Sequence, residues 1–209
     1  MSSETRLLYF ADPMCSWCWG FSPVLDSLAQ AYPELPLTAV MGGLRAGEQR
    51  PVTADVRDTV LHHWQQVAEA SGQPFRFDGA LPDGFVYDTE PACRAVVSVR
   101  RLDPAQERAA LAAVQRAFYA EGRDVTDTGT LVAIAGELGL DEPAFRDVFQ
   151  AAETRTATVA DFDTSRESGV TGFPTLLLDR GERRRIVSIG WCPWDTLRER
   201  LERTLQRDA

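Results

Sequence analysis

The first apolar run of the chain, Leu7-Leu8-Tyr9-Phe10-Ala11, is short and continuous, the pattern of a strand buried on both faces. The spacing then changes. Val24, Leu25, Leu28 and Ala29 recur at helical intervals and predict a helix from Cys15 to about Tyr32. Pro23 removes a backbone hydrogen bond inside that helix and is expected to kink it about a turn past the cysteines. Leu37-Thr38-Ala39-Val40-Met41 reads as a second strand ending at Gly42-Gly43, and the resulting βαβ unit should be parallel and right-handed.

About a hundred residues of helical pattern come next. Val56, Val60, Trp64 and Val67 mark one helix, and Phe75 to Tyr87 is irregular. Pro91 stands near the start of a helix carrying Cys93, Val96, Val97 and Val99. Asp103-Pro104, a cap followed by a first-turn proline, opens the next, with Leu111, Val114 and Phe118 on one face. Leu131, Ile134, Ala135 and Leu138 give a fourth, stopped by Gly139; Asp141 starts a fifth, containing Phe145, Val148 and Phe149.

Strand signals return late. A helix around Val159 and Phe162 ends near Gly169. Thr175–Leu178 and Ile186–Ile189, joined through Asp179-Arg180-Gly181, then read as a hairpin. Trp194, Leu197, Leu201 and Leu205 mark a closing helix. The order β-α-β, helices, α-β-β-α places the chain in the α/β class, as a thioredoxin fold with a large all-helical insertion. Residues 1–52 and 153–209 are expected to form the thioredoxin-like domain and residues 53–152 the insertion.

Composition narrows the function. A formal net charge of −9 over 209 residues argues against nucleic-acid surfaces and anionic membranes as partners. Arg183-Arg184-Arg185 is the one basic cluster and reads as decoration of an exposed hairpin. All 22 basic residues are arginine, which excludes Schiff-base chemistry and a lysine general base. No apolar run approaches the ~20 residues of a membrane span. Met1 to Thr5 is short and polar, so no secretion signal is read and a cytoplasmic location is expected. There, a cysteine pair points to catalysis or metal binding more than to a permanent staple.

The pair in question is Cys15-Ser16-Trp17-Cys18, at the junction of the first strand and helix. At a helix start the free amides and the positive end of the helix dipole favour a thiolate on Cys15, the expected exposed nucleophile. Cys18 lies about a turn on, where it should be buried and resolve a mixed disulfide. A structural zinc half-site is the competing reading. Zinc wants four ligands, however, and Cys93, Cys192 and the adjacent His62-His63 form no second pair. No bound metal or cofactor is required for exchange. No phosphate loop, dinucleotide fingerprint or serine triad is present.

Four segments, Asp12-Pro13-Met14-Cys15-Ser16-Trp17-Cys18-Trp19-Gly20-Phe21, Gly42-Gly43-Leu44, Pro91-Ala92-Cys93-Arg94-Ala95 and Val170-Thr171-Gly172-Phe173-Pro174-Thr175, together resemble the DsbA family. The resemblance is nearest to its signal-less bacterial branch of FrnE-like dithiol oxidoreductases. It implies thiol–disulfide exchange with a protein or glutathione as the thiol or disulfide substrate, and a cis Phe173-Pro174 peptide facing the cysteines. Periplasmic members carry proline and histidine where this chain has Ser16 and Trp17. Phe173, Pro174, Trp17 and Met14 are candidate substrate-binding residues. Met14, Trp17, Trp19 and Phe21 fit either an apolar rim for substrates or core packing between domains, with Trp17 expected to be the most exposed. Cys93 is a possible third thiol or a small buried apolar residue.

Two alternatives share this fold. One is a glutathione-dependent isomerase or transferase resembling the kappa-class transferases and 2-hydroxychromene-2-carboxylate isomerases, which use serine where Cys15 stands. The other is a non-catalytic binding module.

Overall fold

The structure is a computed structural model, and it describes residues 5–181 and 183–207. Four strands, β1 (Arg6–Ala11), β2 (Leu37–Met41), β3 (Thr175–Asp179) and β4 (Arg184–Ile189), form one sheet in the order β2-β1-β3-β4. β1 pairs parallel with β2, Leu7 opposite Leu37, and antiparallel with β3, Leu8 opposite Leu177; β3 and β4 form the late hairpin. Helix α1 (Ser16–Ala31) connects β1 to β2. Helices α2 (Ala54–Ser71), α3 (Glu90–Leu102), α4 (Glu107–Tyr119), α5 (Thr128–Glu137), α6 (Glu142–Gln150) and α7 (Ala152–Glu167) fill the middle of the chain, and α8 (Trp194–Gln206) closes it. The thioredoxin fold with added helices read from the sequence is the fold observed.

The double-sided burial of β1 arises from its alternation. Leu7, Tyr9 and Ala11 pack with Phe21, Leu25 and Leu28 of α1, Val96 and Val97 of α3, and Leu197 and Leu201 of α8. Leu8 and Phe10 face Val40 and Leu177 instead. A second apolar cluster gathers Trp64, Tyr87, Val114, Phe118, Tyr119, Ile134, Phe145 and Phe149 among the helices, and it also takes Met14 and Trp19 from the segment around the cysteines. The site thus sits on the seam between two cores.

Two expectations shift at element ends. Asp103 caps a 3₁₀ turn, Pro104–Gln106, rather than α4 itself. Its carboxylate accepts from the Ala105 amide and its carbonyl from that of Gln106, so the chain makes one tight turn before α4 begins at Glu107. β4 begins at Arg184, two residues before the apolar run, because Arg184 pairs with Asp179 in register and by charge. Arg183, Arg184 and Arg185 are exposed on this hairpin.

β2 is an edge strand whose open side is covered by charged side chains. Glu107 accepts from the Ala39 amide (3.2 Å) and Asp161 from the Met41 amide (3.0 Å), while Arg100 donates to the Ala39 carbonyl (3.0 Å). Arg100 also pairs with both carboxylates.

α1 runs unbroken through Pro23. The carbonyl that Pro23 leaves without its helical donor is that of Trp19, four residues back. It accepts instead from Gln73 Nε2 (3.1 Å), beyond the end of α2, and from Ser22 Oγ (2.9 Å).

Candidate active site

Cys15 is the N-cap residue of α1, in extended conformation, and its carbonyl accepts from the amides of Cys18 and Trp19. No side chain caps this helix and its first turn holds no acid. Cys15 is less open than expected of a nucleophile, at 7% exposure. Its sulfur lies 3.7 Å from the Phe173 carbonyl and opens onto a cleft of about 230 Å³. Cys18 has no exposure. Burial, then the hydrogen bond and charge of Cys15, push its thiol well above the ordinary value.

Around the pair the structure gathers Trp17, Phe173 and Pro174, with the Phe173–Pro174 peptide cis. Trp17 is half-buried, packed at 6.3 Å on Trp191, and is the most exposed of the four apolar residues near the cysteines. Gly42 stands where the Phe173 ring passes: a Cβ there would meet its Cζ at 2.1 Å, so glycine is what lets the ring lie over the end of β2.

Two of the candidate residues are fully buried. Met14 packs into the helical cluster with 0% exposure and lines the floor of the Cys15 cleft. Cys93 is equally buried and serves as a hydrogen-bond donor, not an accessible third thiol: its sulfur lies 3.4 Å from Asp12 Oδ2. Cys192 is buried near Ser188 Oγ, and His62 and His63 are exposed, His63 at the cleft wall. Among the described residues no three His, Cys, Asp or Glu side chains gather as metal ligands.

The residue that sequence reasoning missed is Asp12. Its carboxylate is fully buried and accepts from the Met14 amide (2.8 Å) and the Leu44 amide (2.7 Å), tying the cysteine loop to the turn after β2. Tyr87 completes the tie by donating to the Met14 carbonyl (2.8 Å). Nothing in the spacing of Asp12-Pro13 distinguishes this clamp from an ordinary turn aspartate; its partners come from Leu44 and Cys93, remote in the chain. Burial raises the Asp12 carboxyl above its ordinary 3.8, against the pull of its donors.

A carboxyl whose folded pKa lies above its unfolded value contributes stability that is full below the unfolded value and lost as pH rises through the folded one. Asp12→Asn is therefore expected to show its largest stability deficit near pH 4, where the variant sets an amide NH₂ against one of two backbone donors. The deficit should narrow as pH rises. Urea unfolding of both proteins across pH 4–8 checks this; a deficit that grows with pH contradicts it.

A cysteine pair at a helix start, one thiol opening on a cleft and the other buried, opposite an X-Pro loop at the start of a strand, defines the dithiol site of the thioredoxin-fold class. The chain belongs to the family of DSBA-like thioredoxin domains, whose family model matches residues 6–202.

Among solved structures it is similar to a candidate protein disulfide isomerase from Nitrosomonas europaea (42% identity, TM-score 0.94, covering 99% of this chain and 100% of that one). It is also similar to the cytosolic disulfide reductase DsbM from Pseudomonas aeruginosa (32% identity, TM-score 0.80, 96% and 98% covered), a protein also solved with GSH. Among curated relatives it matches the ClpXP adapter protein SpxH of Halalkalibacterium halodurans at 24% identity over 92% of this chain; it spans 65% of that relative's length. No described helix is long and apolar enough to cross a membrane.

Proposed function

We propose that the protein is a cytoplasmic thiol–disulfide oxidoreductase working in the reducing direction. The observation that carries this reading is the division of labour in the pair, Cys15 at the helix start on the cleft and Cys18 buried behind it. The Cys15 thiolate attacks a substrate disulfide, forming one S–S bond and releasing one substrate thiolate. Cys18, losing its proton, then attacks the Cys15 sulfur. The second substrate thiolate leaves, and the enzyme is left with a Cys15–Cys18 disulfide. Two equivalents of a cellular thiol such as glutathione restore the dithiol.

The similarity to a cytosolic disulfide reductase supports both the direction and the compartment. No bound cofactor or metal is needed, and neither nucleic acid nor membrane enters the reaction. A Trp17–Phe173–Pro174 rim suits a protein or peptide disulfide.

Equilibrating the pair in glutathione buffers, followed by insulin reduction and refolding of a scrambled disulfide protein, tests the reading. The expected potential is nearer the roughly −270 mV of thioredoxin than the roughly −120 mV of DsbA. A tightly held metal on the two sulfurs, or a bridge that mild oxidants cannot form, overturns it.

The binding-module alternative draws on the adapter proteins among the curated relatives. Its mark is partner binding indifferent to Cys15→Ser. The glutathione-dependent isomerase or transferase alternative gains only if Cys18→Ser keeps full activity.

A further inference from the structure

The resolving step asks for something that the start of α1 cannot supply. Cys15 stands at the N-cap, but Cys18 lies a turn inside the helix, where its amide is already bonded to the Cys15 carbonyl (3.0 Å). The Cys18 sulfur has to become an anion without any contact with water. A buried charge is tolerated only where hydrogen bonds replace its lost solvation. Burial raises the Cys18 pKa most, Cys15 and the charge of Asp12 add to that, and a hydrogen bond from the Asp12 backbone opposes them.

A further donor stands behind the pair. Tyr9 of β1 is fully buried and shares the α1-facing cluster with Cys15 and Cys18. Its ring stacks on Phe21, centroids 5.9 Å apart and planes inclined by 17°. Phe21 follows Cys18 at i+3, so the two are neighbours on the inner face of α1.

The Tyr9 hydroxyl is buried and makes no hydrogen bond of regular geometry among the described residues. Such groups are rare in folded proteins and mark strain, a trapped water or chemistry. The surroundings of this one point to chemistry. After burial, the influences on the phenol are the charges of Cys18 and Cys15 and the Cys18 sulfur as a hydrogen-bonding neighbour, and all of them push its pKa well above the ordinary 10.0. Tyr9 therefore keeps its proton at neutral pH and acts as a donor, not as a base.

A neutral thiol is a poor acceptor for that donor, and a thiolate is a strong one. We propose that the Tyr9 hydroxyl donates to the Cys18 sulfur as it ionises, stabilising the resolving thiolate selectively over the thiol. The proposal rests on the oxidoreductase reading and adds the residue that sets the speed of its second step. In that step the proton of Cys18 goes to the departing substrate thiolate. The bond between Cys15 and the substrate sulfur breaks as the Cys15–Cys18 bond forms, and Tyr9 retains its own proton throughout.

Tyr9→Phe removes the hydroxyl and keeps the stacked ring. The test mixes the full chain, reduced, with bis(2-hydroxyethyl) disulfide, quenches it with acid at intervals and reads intact mass. Gain of one mercaptoethanol group reports the first attack; its loss to an internal disulfide reports resolution.

A hydrogen bond to a charged group is strong enough that resolution in Tyr9→Phe should slow roughly 10- to 100-fold. Its pH midpoint should move upward while the first attack keeps the wild-type rate. The other titratable groups acting on Cys18 are Asp12 and Cys15, and both are present in each protein, so the difference between the two pH profiles reads Tyr9. The reduced variant should melt no lower than the wild type, because the group it loses is unpaired.

Equal resolving rates overturn the proposal. So does a variant that fails to fold, or that melts lower with both steps slowed alike, since either makes the hydroxyl structural. If the wild type forms neither the mixed nor the internal disulfide, the dithiol reading itself fails and the assignment of Tyr9 falls with it.

Discussion

Replacing Cys15 by serine is expected to lower disulfide reduction by more than about a thousandfold, because a hydroxyl at the start of α1 is neither ionised at neutral pH nor able to form the S–S bond of the mixed disulfide. Cys18→Ser should behave differently. The first attack needs only Cys15, which keeps its position as N-cap and its carbonyl bonds to the first turn. Exchange then halts with substrate attached, and a mass increase equal to one substrate thiol accumulates stoichiometrically.

The electrostatics of the pair give this order of events. Burial raises the Cys18 thiol, and so do the hydrogen bond and the charge of Cys15. Once Cys15 is tied up in a mixed disulfide it carries no charge, that part of the penalty disappears, and Cys18 becomes easier to ionise at the moment it is needed. Intact-mass spectrometry after mixing each variant with a peptide disulfide reads both outcomes. Cys18→Ser turning over at the wild-type rate would show that one thiol suffices. Cys15→Ser retaining exchange would remove the mechanism altogether.

The candidate cysteine pair is readable in the sequence because it is local. Cys15 and Cys18 close a run of four consecutive residues at a change of hydrophobic period, and both the strand before them and the helix after them can be seen in that change. The late hairpin and the helices of the middle of the chain are legible for the same reason. The surroundings of the sulfurs are assembled from distant segments.

Asp12 finds its partners in Leu44 and Cys93, Tyr87 reaches Met14 across the irregular stretch between α2 and α3, and Gly42 is explained only by the Phe173 ring. Met14 and Cys93 share one ambiguity. An apolar side chain beside a reactive pair can floor a site or rim it, and only the packing of the helical cluster against the sheet decides between them. Pro23 shows the reverse case: local chemistry predicts a carbonyl without its helical donor, and a side chain 54 residues away from Trp19 supplies one.

The second large effect lies on the open edge of β2. Arg100→Leu is expected to cost about 3 kcal/mol, at the lower end of the penalty for removing one partner from a buried ionic cluster, since the Arg100 side chain keeps 23% exposure. For a chain of this size that corresponds to a melting temperature about 6–12 °C lower. The loss has a pH signature. Burial raises the Glu107 carboxyl above its ordinary 4.5 while Arg100 pulls it down. Without the guanidinium the folded value rises further, so the group stabilises the fold most below 4.5 and loses that contribution as pH rises through the folded value. The deficit of Arg100→Leu should therefore be smaller near pH 4 than at pH 8.

Many buried ion pairs can be exchanged for apolar groups without loss. This cluster should not behave so, because its carboxylates also serve the backbone: Glu107 holds the Ala39 amide and Asp161 the Met41 amide. Replacing all three members with leucine leaves those two donors and the Ala39 carbonyl unpaired on an edge strand, each orphaned group costing about 1–3 kcal/mol. The triple variant is thus expected to be no more stable than Arg100→Leu, and its β2 amides should exchange with deuterium faster than those of β1. A triple variant as stable as the wild type would mean that the charges cover the edge without supporting it.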